Sequence, residues 1–353
     1  MKVMYIGPKY YDGKVEAGLG YEHYNFYGTL NKMKNIEVVY FPYDEMFVKY
    51  GKEKMNNMLV NEVFLQKPDI CFFFTLRNEI SKETIKKISS SNKTVTLNWF
   101  GDDHNRFDSY SRFYAPLFNW SATTDQLSVE KYHKIGYNNI IKTQWGCNNF
   151  IYGPMKNNKD KDKYSVSFVG QRYNLRSYIS DVISEAGFDI QCFGRGWPNG
   201  RISQNQMLKI FSQSKINLNI TKTQRRIEPR FILGIFLREE IDKRITINSP
   251  TEWPHIFRSL VANPRAQIKG RTFEIPGCEE FMLTQYVDGL DEYYREGKEI
   301  AVFKNNNELL NKIRYYLDND KERRKVAKAG YIRTIKEHTY EKRFRKLFKQ
   351  IGF

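Results

Sequence analysis

The sequence predicts an α/β fold: two doubly wound, Rossmann-like parallel-sheet domains facing across a cleft. Three observations predict it. Short apolar runs alternate with helix-length amphipathic stretches along most of the chain, the rhythm of repeated βα units. The candidate strands read as continuous apolar runs, as in Ile70-Cys-Phe-Phe-Phe-Thr-Leu76, the pattern of strands covered on both faces of a parallel sheet. The rhythm breaks at a polar, charged, turn-forming run between Asn148 and Lys163, and 353 residues exceed one core but suit two.

Taken in order, residues 2–7 form the first expected strand, and a Gly/Tyr-rich loop over 8–20 leads to a helix at about 21–33. Gly18-Leu-Gly20 lacks the third glycine of a dinucleotide fingerprint and lies well past the strand, so the loop is better read as lining a ligand site at the strand's carboxyl end. Strands at 36–41, 69–75 and 93–100 alternate with helices at 48–65 and 82–89. The last of these strands runs into Gly101-Asp-Asp-His-Asn-Arg106, the most chemically loaded turn of the first half. Strands at 118–124 and 139–145, separated by a helix at about 126–135, complete a first domain over 1–150, and 151–163 is the linker. Beyond it come strand 164–170, helix 176–186, strand 189–194, helix 204–212 and strand 216–220 of a second domain over 164–335. Residues 221–266 do not fit this rhythm and read as an insert with an arginine-flanked apolar helix, Arg230-Phe-Ile-Leu-Gly-Ile-Phe-Leu-Arg238, and a pair Arg225-Arg226. Such a helix suits an acceptor-side cover, a membrane-surface element, a dimer contact or simply more core.

Composition narrows the class. Apolar residues at 41% with 15% aromatics can build two cores, and the longest unbroken apolar run is far below spanning length. The first residues read as a strand entering a glycine turn rather than a leader peptide, so the expected location is cytoplasmic, with peripheral membrane association open. Cys71, Cys147, Cys192 and Cys278 are scattered within apolar segments and read as buried free thiols. No metal site is expected, because the five histidines show no ligand spacing. The formal charge is +17, and residues 321–349 hold twelve Lys/Arg against three Glu. That run is either a solvated helix face or a contact for a polyanion or anionic membrane.

Residues 267–284 concentrate chemistry that the rest of the chain serves. Lys269 and Arg271 precede Phe273-Glu-Ile275, Pro276-Gly277 marks a turn, and Phe281-Met-Leu-Thr284 reads as a buried strand. If the first part is helical, its N-terminal amides and the two cations can hold a phosphate, with Glu274 a turn deeper as an acceptor for sugar hydroxyls. An ordinary amphipathic helix end gives the same pattern. After it follow Asp288-Gly-Leu-Asp-Glu-Tyr-Tyr294, Ile300-Ala-Val-Phe303, a helix at 308–317, Asp320-Lys-Glu-Arg-Arg324, Ala327-Lys-Ala-Gly330 and His338-Thr-Tyr340.

In that order, over about 164–345, these residues resemble the C-terminal half of nucleotide-sugar glycosyltransferases, specifically the CgeB-like branch of the group 1 enzymes. The resemblance implies the glycosyltransferase B fold, a UDP- or GDP-sugar as donor substrate with no tightly bound cofactor, and a final helix in 336–353 that crosses back to the first domain. In related group 1 enzymes two glutamates eight positions apart serve the donor. Glu274 fits the second, whereas Ala266 stands at the first, so only the ribose-contacting half carries over.

Glycosyl transfer needs the departing diphosphate neutralised, and arginines serve because a guanidinium pairs bidentately with phosphate. The donor candidates are Arg172 after Gly170, Arg195 in Gly194-Arg-Gly-Trp197, Lys269, Arg271 and Glu274. For the acceptor's proton, Asp102, Asp103 and His104 sit at a strand's carboxyl end in the other domain, where a neighbouring carboxylate can raise its partner's pKa. A helix cap or turn uses the same residues. Charge points to an anionic acceptor: a cell-surface or lipid-linked glycan at a membrane, favoured by the apolar insert, or modified DNA bases, favoured by the basic run. A catalytically inactive protein of the same fold that binds nucleic acid or an anionic surface is the remaining alternative.

Overall fold

The computed structural model describes residues 1–91, 93–155, 160–222, 229–239, 244–261 and 265–353. Residues 156–159 of the expected linker and Arg225-Arg226 of the insert lie outside the described residues. The chain forms two compact units. One comprises residues 1–144, 226–263 and 343–353, the other 145–225 and 264–342.

Six strands build the sheet of the first unit: β1 Lys2–Gly7, β2 Glu37–Pro42, β3 Ile70–Phe73, β4 Val95–Phe100, β5 Trp120–Thr123 and β6 Ile140–Lys142. All pairings are parallel, in the order β2-β1-β3-β4-β5-β6. The apolar runs that predicted them are buried on both faces: Met4, Ile6, Cys71, Phe73 and Phe100 pack with helix residues Phe47, Leu59 and Ile85 in one core. On the other face Phe344, fully buried, sits among Phe26, Phe72 and Trp99 with ring centroids 5.4, 5.4 and 6.3 Å away.

The expected helix over 48–65 is two helices, Tyr43–Tyr50 and Lys52–Gln66. Gly51 divides them with φ +78°, a left-handed conformation that ends one helix and starts the next at no steric cost. The segment expected as one helix over 21–33 is a continuous helical run over 21–30 whose middle, His23–Tyr27, is π-helical and which ends in Gly28–Leu30.

In the second unit β7 Tyr164–Val169, β8 Ile190–Phe193 and β9 Ser214–Asn219 pair in parallel. The insert then contributes β10 Leu237–Glu239 and β11 Ile245–Ile247, an antiparallel pair within the first unit. Strands β12 Met282–Gln285 and β13 Ala301–Phe303 complete the second sheet, whose order is β13-β12-β9-β7-β8. Relative to chain order this is the 2-1-3-4-5 doubly wound arrangement, whose ligand crevice lies where the winding reverses, between β7 and β9 at their carboxyl ends. The helix Gln204–Ser212 is started by a capping box: Ser203 Oγ accepts from the Gln206 amide, and Gln206 accepts from the Ser203 amide. All four cysteines are free and buried.

Candidate functional site

The sequence directs attention to the carboxyl edge of the second sheet, and the fold builds it from three loops. After β7, Gly170 lies against Gly194, which follows β8. The Gly170 amide donates to Phe193 O at 2.9 Å, the Arg172 amide to Arg195 O at 2.9 Å, and Trp197 Nε1 to Gly170 O at 2.9 Å. Gly194 has φ +130°, and a Cβ there would stand 2.3 Å from Gly170 O. A side chain at Gly194 therefore meets both a forbidden conformation and a backbone clash.

Arg172 is exposed; its Nε donates to Ser177 Oγ at 2.8 Å and its guanidinium lies over the Trp197 ring at 5.3 Å. Arg195 is exposed on the neighbouring loop. The residue that sequence reading missed is Arg176, near the start of the helix Asn174–Glu185. Its Nη1 donates to Gln171 O at 2.8 Å and its Nη2 to Ile220 O at 3.3 Å. Those carbonyls follow β7 and β9, so this guanidinium spans the point where the winding reverses. Burial lowers its pKa, and the positive charge of Arg271 lowers it further. Its context, Arg172-Tyr-Asn-Leu-Arg176, gave only a helix period; a second arginine four residues after the first was the available signal.

Arg271 opens the short helix Arg271–Gly277. The helix runs through Pro276, so Pro276-Gly277 is its last turn and not a break before it. The expectation that its amides serve a phosphate is corrected. Thr272 donates to Lys269 O, and Phe273 and Glu274 donate to Gly270 O, at 2.9–3.0 Å. What remains is side-chain chemistry. Asn219, at the end of β9, fixes this helix by donating to Thr272 Oγ1 and Thr284 Oγ1, both at 3.1 Å.

Glu274 is fully buried. One carboxylate oxygen accepts from Tyr152 Oη at 2.8 Å, and the other is paired with Arg271. Gln204 Nε2 donates to the same tyrosine oxygen at 2.9 Å, and Arg271 lies over the Phe211 ring at 5.7 Å. The result is a chain Arg271, Glu274, Tyr152, Gln204 whose two ends, Arg271 at 29% exposure and half-buried Gln204, reach solvent while Glu274 and Tyr152 are buried. Lys269 precedes it, half-buried. The structure thus brings Gly170, Arg172 and Arg195 together on two touching loops and joins Arg271 to Glu274. Position 266 lies outside the helix that carries Glu274.

In the first unit the turn after β4 separates its three candidates. Asp102 is exposed and its carbonyl accepts from the Asn105 and Arg106 amides, so it starts the helix Asp103–Arg106 through its backbone. Asp103 is 1% exposed and turned inward, accepting from Tyr132 Oη at 2.8 Å. Burial pushes its pKa up to about 6 against the pull of hydrogen bonds from Ser111, Thr123 and Tyr132, and the charge of Asp125 adds to the rise. His104 is half-buried, with Nε2 2.8 Å from Asn105 Nδ2. Among the described residues no group of three or more His, Cys, Asp or Glu is placed to hold a metal ion.

Residues 242–349 match a family model described as glycosyl transferase-like. The spore protein CgeB of Bacillus subtilis is 21% identical over 220 residues, which are 62% of this chain and 63% of CgeB. Among solved structures, Anabaena HepE in complex with UDP aligns over the whole of both chains at 8% identity with a TM-score of 0.60. A mutant of S. aureus TarM, in complex with Fondaparinux, alpha-GlcNAc-glycerol and UDP, aligns over 85% of this chain and 59% of TarM at 10% identity, with a TM-score of 0.54. The chain therefore spans less than two thirds of the length of CgeB and of TarM. The resemblance to CgeB-like glycosyltransferases is borne out, as is the glycosyltransferase B fold with its two parallel-sheet domains.

Proposed function

We propose that this chain, a CgeB-like protein with the glycosyltransferase B fold and a glycosyl transferase-like C-terminal region, moves a hexosyl or pentosyl unit from a UDP-sugar to an anionic glycan at a membrane surface. Arg176 carries the donor half of this reading. It is a guanidinium held by two strand-end carbonyls at the ligand crevice of the second sheet, beside the second cation Arg271. Two neighbouring cations at such a point suit a diphosphate. Arg172, Arg176 and Arg271 neutralise it as the sugar leaves, and Arg195 and Lys269 add positive potential. When Arg271 turns to the diphosphate, the oxygen it releases on Glu274 accepts from a ribose hydroxyl, while Tyr152 keeps the other oxygen. HepE complexes carry UDP and UDP-glucose, which supports UDP as the nucleotide.

In the transfer, the acceptor hydroxyl oxygen bonds to the anomeric carbon, the bond from that carbon to the diphosphate oxygen breaks, and UDP leaves with the electron pair. The acceptor's proton passes to the turn in the first unit. There exposed Asp102 and half-buried His104 are the candidates for base, and buried Asp103 positions the turn through Tyr132. The membrane surface is supported by the insert. Ile232, Leu233, Ile245, Ile247 and Phe257 are each at least half exposed, near exposed Arg244 and Arg258. Interfacial binding needs such apolar area together with cations. No helix among the described residues is long and apolar enough to cross a membrane.

Calorimetry and thermal shift with UDP, UDP-glucose and GDP test the donor. UDP is expected to raise the melting temperature with concentration, and insensitivity to millimolar UDP would remove the donor reading. Flotation with anionic vesicles is expected to carry the protein. A salt-sensitive gel shift on DNA without flotation would instead favour modified DNA bases as acceptor, a reading that rests on the basic run at 321–349.

A further inference from the structure

A second built site lies wholly within the first unit. A cavity of about 280 Å³ opens between the carboxyl ends of β3 and β4 and the inserted helix–hairpin–helix, lined by Arg77, Arg106, Tyr110, Arg238, Asn248 and Glu252 among others. Three guanidinium groups face it against one carboxylate. Each is placed by the fold. Arg106 ends the short helix that starts at Asp102; its Nη2 donates to Leu76 O and its guanidinium carbon lies over the Tyr110 ring, 4.6 Å from the centroid. Arg77 is held by its backbone, its amide donating to Glu79 Oε2 at 2.7 Å and its carbonyl accepting from Tyr110 Oη. Glu79 is buried and does not line the cavity. Arg238, on β10, has a buried Nε with no hydrogen-bond partner among the described residues.

The hairpin that presents Arg238 is itself clamped. Asn248 Nδ2 donates to Gly234 O and Ile235 O at 3.1 Å, its amide to Phe236 O at 2.8 Å, and its carbonyl accepts from Trp253 Nε1 at 3.0 Å. An arginine Nε shielded from water and without a partner is costly unless a ligand completes its hydrogen bond. No described carboxylate lies within ion-pair distance of Arg106 or Arg238, although the charges of Arg77 and Arg106 act on buried Glu79. The volume lies just below the range of about 300–1,000 Å³ for sites that enclose drug-sized ligands. It suits a phosphate with part of an attached sugar or glycerol and is small for a whole nucleotide sugar. Arg106 belongs to the same short helix as His104, although side chains two apart on a helix point in different directions.

We propose that this cavity binds a phosphate group of the acceptor, with Arg106 and Arg238 as its forked donors and Glu252 accepting from an adjacent hydroxyl. That the phosphate belongs to an acceptor rests on the glycosyltransferase reading; that a phosphate binds rests on the first unit alone. The insert then sets acceptor specificity, since it supplies Arg238 and Glu252.

The test uses the full chain with glycerol 1-phosphate as probe, glycerol as its neutral counterpart, and UDP as an independent ligand. Glycerol 1-phosphate is expected to bind and glycerol to leave the protein unchanged. Arg238→Gln should weaken the phosphate probe at least tenfold and leave UDP affinity unaltered. Arg106→Gln should do the same. Should its lost bond to Leu76 unfold the chain, Arg238→Gln decides alone, because its Nε has no described partner to lose. Equal affinity for the phosphate probe in wild type and Arg238→Gln, or no binding in wild type, overturns the proposal. Failure of UDP to bind wild type sinks the donor reading without touching the phosphate result. Vesicles with and without phosphatidic acid distinguish the source: capture that Arg238→Gln abolishes identifies a lipid phosphate, and probe binding without capture identifies a soluble one.

Discussion

Replacing Glu274 separates stability from donor binding, because its two oxygens have different partners. In Glu274→Ala, Tyr152 Oη keeps the hydrogen bond it accepts from Gln204 but loses the acceptor for its own proton. Tyr152 is 2% exposed, so an unsatisfied hydroxyl there costs about 1–3 kcal/mol. Arg271 loses its counter-ion, but at 29% exposure water takes over part of that role, so the loss stays well under the roughly 3–5 kcal/mol of a fully buried broken pair. Glu274→Ala is therefore expected to lose about 2–4 kcal/mol of folding stability. Glu274→Gln retains an acceptor for Tyr152 and turns an amide toward Arg271, costing about 1–2 kcal/mol. For donor binding, exchanging a charged acceptor for a neutral one at the ribose hydroxyl removes about 1–1.5 kcal/mol, or roughly five- to tenfold in Kd. Urea denaturation and calorimetry with UDP read the two effects. Unchanged stability in Glu274→Ala would refute the hydrogen-bond chain, and unchanged UDP affinity in Glu274→Gln would remove Glu274 from the donor site.

Asp103 titrates at about 6 in the folded chain, against a reference of 3.8. A raised carboxylate pKa contributes stability below the reference value that is lost as pH rises through about 6, worth about 3 kcal/mol at full extent. Asp103→Asn should flatten the wild-type difference in urea stability between pH 5 and pH 8, and an unaltered difference would place the titration elsewhere. Gly194→Ala should disturb the loops after β7 and β8, lowering UDP affinity together with stability, since its Cβ meets Gly170 O; tolerance of alanine by both measures contradicts the contact. Phe344→Ala should cost about 3–5 kcal/mol, because the ring is buried among Phe26, Phe72 and Trp99. A loss under about 1 kcal/mol would show that the last helix does not complete that core.

Strands were legible because their signal is local. The runs at 70–76 and 164–170 are apolar with little interruption, and strands buried on both faces require that. Residues 267–284 stood out as a candidate site because resemblance supplied their order, and Arg271 and Glu274 do meet. What stayed hidden depends on three-dimensional closure. Arg176 looked like any helical arginine, since its placement comes from carbonyls after β7 and β9, one of them more than forty residues away. Asp102 and Asp103 are adjacent in sequence, yet one is exposed and the other is buried against Tyr132. Spacing cannot tell two neighbours on a helical turn which of them faces the core. The amides of the helix Arg271–Gly277 were misjudged for a similar reason: the chain before it folds back, and its carbonyls accept those hydrogen bonds first.

The basic run at 321–349 was the sequence's main argument for an anionic partner, and the fold redistributes that argument. Arg323 is 3% exposed, and it pairs with Asp320 and Asp162 while donating to Tyr316 O. Arg324 pairs with the same two aspartates. Arg333 donates to Glu337 and to Tyr293 O. Three of the twelve cations are thus engaged in holding the helix Asp320–Glu337 within the second unit, and cations paired in this way contribute little to any long-range field. Arg106 and Arg238 have the opposite character. They are few, separated by more than a hundred residues in sequence, and they converge on one cavity without a described carboxylate paired to either. Net charge measures how many cations a chain carries, whereas recognition depends on how many are left uncompensated at one place. On that measure the cavity of the first unit, where Arg77, Arg106 and Arg238 converge with Glu252, is where the proposed phosphate has most to gain.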